Sequence, residues 1–241
     1  MLLFLFLYSF VGWAPAGPSD SEVKAVVGRL EAAYRPAKTL QATFLERYIE
    51  DGHTVRAESG IAYFRRPGKM RFEYQAPEKN LFLVDGKYAW FYVPADHTVT
   101  KVSAKESADW RTPLALLAGE MKVSRVCGKV ELASQEQPEN PADVLLYCAV
   151  RGASRESARN TNRGFDPQIS KRGEAVFFEV VRDSGQLTRI VVRESGGIEM
   201  EFRFTHWQFD PQVADSQFHF NPPLGVAIVN GELAAQNSAM K

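Results

Sequence analysis

The residue types that most often carry catalysis are scattered through this chain of 241 residues and form no recognised motif. The four histidines, His53, His97, His206 and His219, stand singly among unrelated neighbours. Metalloprotease, nucleophile-elbow, P-loop and dinucleotide motifs (HExxH, GxSxG, GxxxxGKS/T and GxGxxG) are absent from the sequence. No spacing indicates a serine–histidine–aspartate triad. We therefore expect a protein that is not an enzyme and that uses no cofactor and no metal.

The two cysteines, Cys127 and Cys148, leave two interpretations open. In an exported protein they would form a disulfide, which would close a loop of about 20 residues and contribute roughly 3 kcal/mol. Alternatively, they are unpaired small hydrophobic side chains in a core. Because no histidine lies near either cysteine in sequence, they make a poor zinc site.

Arg66 is the charged residue whose position is most informative. On the strand that it ends, the alternate residues Ala62 and Phe64 share its face. A buried charge is costly unless it is paired or donates hydrogen bonds. Arg66 therefore either turns to solvent at the strand end or donates to backbone carbonyls of a covering helix. In the second case, release of those bonds would act as a switch.

Aromatic residues line the strands that follow Arg66. Met70, Phe72 and Tyr74 share one face of the next strand, whereas residues 90–92 place aromatic side chains on both faces of a later one. Methionine and aromatic side chains suit an adaptable pocket for long acyl chains. They are equally ordinary in a packed core, so the pattern alone fits both structures.

The elements that would position these residues are mostly strands, because hydrophobic residues alternate with period two from Leu40 onward. The predicted strands are Thr39–Glu50, Thr54–Arg66, Lys69–Gln75, Leu81–Val84, Lys87–Val93, Thr98–Ser103, Lys122–Leu132, Asp143–Val150, Glu174–Arg182, Gln186–Arg193 and Ile198–Phe209. Turn signals at Asp51-Gly52, Pro67-Gly68, Ala76-Pro77 and Asp85-Gly86 separate the earlier ones. Consecutive strands joined by such short turns pair antiparallel.

Two predicted helices accompany the strands. An amphipathic helix runs from Ser19 to about Arg35 and must cover part of a sheet with its apolar stripe. A short apolar helix spans Trp110 to Ala118. A sheet of about eleven strands curls or closes because strand twist accumulates. The predicted fold class is mainly β (α+β), with helices on the concave side of the sheet.

The first residues of the sequence and its net charge bear on the compartment and on the class of partner. Residues 1–16 have the apolar run and small-residue site of a signal peptide, so we expect an exported protein. The formal net charge is +0, so no global field recruits nucleic acid. The remaining chain is expected to form a single domain over residues 17–230, followed by a flexible tail over residues 231–241.

A polar, basic insertion interrupts the strand pattern at residues 151–173. Arg151, Arg155, Arg159 and Arg163 recur at intervals of four within it. The segment is either a solvated insertion or a docking patch for lipid headgroups or an acidic partner.

Several short motifs together resemble one protein family. They are Leu40-Gln41-Ala42-Thr43-Phe44 after the first helix, Arg66-Pro67 with Met70-Arg71-Phe72, Val84-Asp85-Gly86-Lys87 with Trp90-Phe91-Tyr92-Val93-Pro94, Thr112-Pro113-Leu114, and Phe220-Asn221-Pro222-Pro223-Leu224-Gly225-Val226. In this order and spacing they are similar to the periplasmic outer-membrane lipoprotein carrier family of the LolA type. The insertion and the cysteine pair depart from the best-known members.

The resemblance implies an unclosed antiparallel β-barrel whose helices form a lid over a hydrophobic cavity. Members of this family accept the acyl chains of lipoproteins from an inner-membrane ABC transporter and pass them to an outer-membrane acceptor. The family's arginine before proline, which latches the closed lid, falls on Arg66. A periplasmic protein, expected to be a monomer, follows from this resemblance.

The residues then expected to line the acyl-chain cavity are Leu30, Phe44, Phe64, Met70, Phe72, Tyr74, Trp90, Tyr92, Leu114, Leu117, Met200, Phe202 and Phe204. Two alternatives stay open: a carrier or sensor of another lipid or glycolipid, and a periplasmic structural adaptor that transports nothing.

Overall fold

A computed structural model of the chain describes residues 20–104, 114–119, 121–134, 136–150, 175–194 and 196–230. The helices are α1 (Asp20–Tyr34), α2 (Ala115–Ala118) and α3 (Val123–Val126). The strands are β1 (Thr39–Glu50), β2 (His53–Arg65), β3 (Lys69–Ala76), β4 (Leu81–Val84), β5 (Tyr88–Val93), β6 (Thr98–Ser103), β7 (Cys127–Leu132), β8 (Asp143–Val150), β9 (Ala175–Val181), β10 (Leu187–Arg193), β11 (Ile198–Phe209) and β12 (Ala227–Asn230).

The twelve strands of the described residues form one sheet, in the order β12-β6-β5-β4-β3-β2-β1-β11-β10-β9-β8-β7. The sheet ends at β12 on one side and at β7 on the other, so the predicted unclosed, mainly β architecture is confirmed. The predicted strands correspond to β1–β11. Every pair among these is antiparallel, as the short turns require.

Two details of the predicted strands are wrong. The structure has a twelfth strand, β12, which pairs parallel with β6. Strand β11 lies next to β1, within the sheet, and the chain crosses from there to β12 at the edge without a hairpin. The strand predicted to begin at Lys122 begins at Cys127, since a helical turn, α3, comes first. Over so short a segment, the apolar residues of α3 fit the period of a helix and the period of a strand equally well.

Helix α1 packs on the face of the sheet that carries Phe44 and Phe64, and it buries Val26, Leu30 and Tyr34. The hydroxyl of Tyr34 accepts a hydrogen bond of 2.8 Å from the backbone N–H of Leu187. Gly185, at φ +73°, approaches the helix so closely that a Cβ there would lie 2.4 Å from backbone atoms of Arg29. The turn before β10 therefore requires glycine for the helix to dock.

The segment between β6 and β7 supplies the second cover. Leu116 and Leu117 of α2 are buried. The carboxylate of Glu31 on α1 accepts a hydrogen bond of 2.9 Å from the N–H of Val123, which ties α1 to α3. Immediately after α3, Cys127 forms a disulfide with Cys148 across β7 and β8. Of the two interpretations of the cysteines, the structure has the bonded pair.

The outer face of β1, β11 and β10 carries a network of ion pairs. Glu201 is 3% exposed and accepts hydrogen bonds from Arg203 at 2.6 Å, Arg47 at 2.9 Å and Arg189 at 3.3 Å. Burial raises the pKa of Glu201, but the bonds from Arg203 and Arg47 outweigh it, and the pKa lies below its ordinary value. Glu139, from the β7–β8 connection, pairs with Arg203 over the same face.

Several predicted features lie outside the described residues. They are the signal peptide over residues 1–16, the first part of the short apolar helix, the basic insertion with Arg151, Arg155, Arg159 and Arg163, and the tail over residues 231–241. Across the part of the chain that the structure describes, no helix combines the length and the apolar character needed to cross a membrane.

Candidate functional site beneath the covering helices

Arg66 follows β2 directly, and its guanidinium lies against the C-terminal end of α1. Nη1 donates to the carbonyls of Arg35 at 2.7 Å and Ala37 at 2.6 Å, and Nη2 donates to that of Tyr34 at 3.0 Å. Its own N–H donates to the carbonyl of Lys38 at 3.0 Å. Carbonyls at a helix end lack intrahelical partners and carry the negative end of the helix dipole. A cation with several donors therefore fits this position.

Asp210, at the end of β11, holds the same segment from the other side. Its carboxylate accepts hydrogen bonds from the N–H groups of Lys38 at 2.7 Å and Thr39 at 3.1 Å. These bonds keep the pKa of Asp210 below its ordinary value. For Arg66, burial lowers the pKa and the charge of Asp210 raises it, with a net lowering. The chain after α1 is thus fixed between a guanidinium and a carboxylate.

The same turn between β2 and β3 also contacts α2. The N–H of Gly68, a residue at φ +69°, donates a hydrogen bond of 2.8 Å to the carbonyl of Ala118 at the end of α2. Only glycine adopts such a φ without strain. Arg66 and Gly68 therefore connect one turn to both covering helices.

Arg65 connects this turn to the C-terminal segment. Its guanidinium bonds the carboxylate of Asp215 and the carbonyl of Val213, and it lies 4.8 Å from the ring centroid of Phe218. Arg65 and Arg66 are adjacent in sequence, but they hold different segments. The turn is a junction of α1, α2 and the segment that leads to β12.

Most of the residues predicted to line a cavity come together beneath the helices. Leu30, Phe44, Phe64, Met70, Phe72, Tyr74, Leu114, Leu117, Met200, Phe202 and Phe204 all belong to one buried cluster. The ring of Phe72 lies 5.0 Å from that of Phe44, 5.6 Å from that of Phe64 and 6.2 Å from that of Phe202. These side chains pack against one another beneath the closed helices.

Trp90 and Tyr92 were predicted to line this interior, and that prediction is wrong. Both lie on the opposite face of β5, in a separate cluster with Leu83 and Val99. The ring of Phe220 lies 5.6 Å from each of them, so the C-terminal segment covers this face. Because aromatic residues occupy both faces of β5, alternation does not reveal which face is inside.

Sequence reasoning missed two residues that contact the covering segments, and also the buried carboxylate of Glu46, which accepts a hydrogen bond of 2.6 Å from the hydroxyl of Tyr74. Asp210 and Gly68 contact the covering segments, but nothing in their sequence neighbourhood indicates those partners. Glu46 is different: it follows Leu40, Ala42 and Phe44 at period two, so its inward position could have been inferred.

Comparisons with known proteins point to one family. The family model described as outer membrane lipoprotein carrier protein LolA matches residues 35–144. A protein from Methylococcus capsulatus, named outer-membrane lipoprotein carrier protein, is 32% identical over 231 residues, which cover 93% of this chain and 96% of the relative. A relative from Nitrosospira multiformis with the same name is 28% identical over 208 residues, 85% of this chain and 88% of its own.

A crystal structure of a LolA superfamily protein from Nitrosomonas europaea covers 82% of this chain and 97% of its own, at a TM-score of 0.41 and 9% identity. That likeness is too distant to add to the argument. The sequence identity with the Methylococcus capsulatus protein, which extends over nearly the whole of both chains, decides the assignment. This chain belongs to the outer-membrane lipoprotein carrier (LolA) family.

Proposed function

We propose that this protein is a periplasmic carrier that binds the acyl chains of lipoproteins in the interior beneath α1 and α2. In this proposal it receives its cargo from an inner-membrane ABC transporter and delivers it to an outer-membrane acceptor. The observation that carries the proposal is the set of three hydrogen bonds from the Arg66 guanidinium to carbonyls at the end of α1. Those bonds hold α1 over an apolar interior, and they can break when the helix moves away.

The mechanism is exchange and involves no chemical step. Burial of an acyl chain contributes about 0.8 kcal/mol per CH₂, so several chains would bind very tightly to an open apolar pocket. A carrier must also release its cargo. The packed, closed interior competes with the cargo and lowers its net affinity, because binding has to displace the closed state. Hydrogen bonds from a charged donor contribute roughly 1.5–3 kcal/mol each, so the bonds of Arg66 set much of that competition.

The test of this role is the substitution Arg66→Leu, with Arg66→Lys as the matched control that keeps the charge. The leucine variant should load cargo and pass it on poorly, because the closed state that competes with the cargo is weakened. The lysine variant should transfer at an intermediate rate, since one ammonium cannot reproduce the fork of donors. The measurement is transfer of a purified, labelled lipoprotein from the carrier to outer-membrane vesicles. Normal transfer by Arg66→Leu would contradict the proposal.

The identity of the cargo has its own experiment. The protein should be purified from the periplasm, and the material bound to it should be identified by mass spectrometry. Acylated lipoprotein is the expected result. Recovery of a different lipid or a glycolipid would replace the proposed cargo, and binding of no fluorescent acyl probe would indicate a structural adaptor.

The partners and the compartment also remain proposals. We propose export through a signal peptide over residues 1–16, a single carrier domain over residues 17–230, and a monomer in solution. N-terminal sequencing of the periplasmic protein, expected to begin at Gly17, tests the proposed signal peptide.

We further propose that the arginines of the basic insertion dock lipid headgroups or an acidic partner. Deletion of residues 154–170 should then weaken binding to vesicles or to the partner, and unchanged binding would discard that role.

A further inference from the structure

Along β1 and β2, the side chains that face the interior change from apolar residues to carboxylates. From the end near Arg66, the inward residues form successive layers across the two strands: Leu40 opposite Phe64, Ala42 opposite Ala62, and Phe44 opposite Gly60. The next inward pair is Glu46 opposite Glu58. These carboxylate side chains are as buried as the apolar ones, with Glu46 2% exposed and Glu58 5% exposed.

Each of the two carboxylates has a polar partner. The hydroxyl of Tyr74 donates a hydrogen bond of 2.6 Å to Glu46. Arg56 lies 3.1 Å from the carboxylate of Glu58 and 5.6 Å from the ring centroid of Tyr48. We name Glu46, Glu58, Tyr74 and Arg56 the polar corner. The hydrogen bond holds Glu46 and the ion pair holds Glu58, so both buried carboxylates are fixed features of the interior wall.

The polar corner is confined to one side of the interior. In the same layer, Glu46 pairs with Phe202 of β11, Phe202 pairs with Ile190 of β10, and Ile190 pairs with Phe178 of β9. Phe178, Ile190 and Phe202 are each 0% exposed and apolar. The wall built by β9–β11 is therefore apolar at a depth where the wall built by β1–β3 is not.

We propose that Glu46 and Glu58 are specificity-determining residues that limit how far an acyl chain extends along β1–β3. This inference rests on the proposed function and names which chains the interior favours. From the layer of Leu40 to the layer of Glu46 the strand spans about 20 Å. Within that span each added CH₂ exchanges water for apolar contacts. Beyond it, the chain would have to lie against buried carboxylates and displace the hydroxyl of Tyr74, which offsets the gain.

Two consequences follow for the bound chain. Affinity should rise by about fourfold per added CH₂ while the chain fills the apolar layers, and it should level off once the chain reaches the polar corner. The ends of longer chains should turn towards β9–β11, where the wall stays apolar.

The first experiment compares acyl-chain length profiles. Dissociation constants of a series of fluorescent acyl probes, from medium to very long chains, are measured for the wild type and for Glu46→Leu with Glu58→Leu. The wild-type profile should level off, and the variant should continue to gain affinity over several further CH₂ groups. Glu46→Gln with Glu58→Gln is the matched control, because it keeps a polar wall of the same size and should level off as the wild type does.

The outcomes separate this inference from the proposed function. Identical length profiles in the wild type and the leucine variant would overturn the limit set by the polar corner and leave acyl binding intact. Absence of binding by the wild type at every chain length would overturn both.

A second measurement uses the unmodified protein, in case the leucine variant does not fold. Wild-type protein is loaded with a very long acyl chain that carries a photoreactive group at its end, and the labelled peptides are identified after irradiation. Labels should fall on the residues of β9–β11. Labels concentrated on residues 46–58 would overturn the inference.

Discussion

Helices α1 and α2 both cover the same face of the sheet, and the turn after β2 holds them by different chemical groups. The carbonyls at the end of α1 bind the side chain of Arg66, whereas the carbonyl of Ala118 at the end of α2 accepts the backbone N–H of Gly68. A substitution removes a side chain, but it leaves most backbone amides in place. The two covers should therefore respond to different degrees to a mutation in this turn, although the bond between Val123 and Glu31 links α1 to α3.

The largest effect is expected from Arg66→Leu. Loss of three hydrogen bonds from a charged donor should destabilise the closed position of α1 by about 4.5 kcal/mol, at roughly 1.5 kcal/mol each. Hydrogen exchange measured by mass spectrometry should show faster exchange at the end of α1 and little change in α2. Equal changes in both helices would mean that they open as one unit.

Removal of the disulfide should act on the other cover. Replacement of Cys127 and Cys148 by alanine should lower the free energy of unfolding by about 3 kcal/mol, because the bond closes a loop of this length. Urea denaturation measures that loss. Because β7 begins directly after α3, hydrogen exchange should rise in α2 and α3 more than at the end of α1. A uniform rise would contradict the separation of the two covers.

Tyr34→Phe tests the docking of α1 away from the latch. Its hydroxyl and the N–H of Leu187 are both buried, so the lost bond leaves an unsatisfied donor that costs about 1–3 kcal/mol. Thermal unfolding measures the change. Tyr63→Phe, on the half-buried outer side of β2, is the matched control and should shift stability by less than about 0.5 kcal/mol. Similar effects of the two substitutions would remove the role given to the hydroxyl.

The smallest effect is a pH dependence confined to the α1 side. The pKa of Asp210 is lowered from 3.8 in the folded protein, so its stabilising bonds are fully present above 3.8. They are lost as the pH falls through the lowered folded value. The protection of residues 35–39 against hydrogen exchange, taken relative to the intrinsic exchange rate at each pH, should therefore fall in acid, and Asp210→Asn should weaken that acid response. An unchanged response in the variant would assign the titration to other carboxylates.

Much of this fold follows from local sequence rules, for physical reasons that particular elements illustrate. The alternation along β1 and the turn at Pro67-Gly68 determine both the strands and their antiparallel pairing. Strand β12 could not be predicted by the same rules, because all its residues are exposed and its parallel partner is remote in sequence. Alternation detects a strand only when one of its faces is buried.

The site was less accessible to such rules, because its key bonds go to backbone atoms. Spacing placed Arg66 at a strand end, but the carbonyls that it binds belong to a segment about thirty residues away and leave no mark in the sequence. The spacing left solvent and the carbonyls of a covering helix as alternatives for Arg66, and the family resemblance favoured the latch. The positions of Trp90 and Tyr92 were predicted wrongly for a related reason, since Phe220, which covers their face, lies more than a hundred residues later in the chain.

The unclosed sheet has a mechanical consequence. In a closed barrel, the number of strands and their stagger fix the diameter. Here the sheet ends at β7 and at β12, so its curvature can change without loss of any bond between neighbouring strands. We therefore expect a compliant wall whose capacity depends on how far the two edges spread. One backbone hydrogen-bond pattern can thus enclose contents of different bulk, from the packed interior seen here to an expanded one.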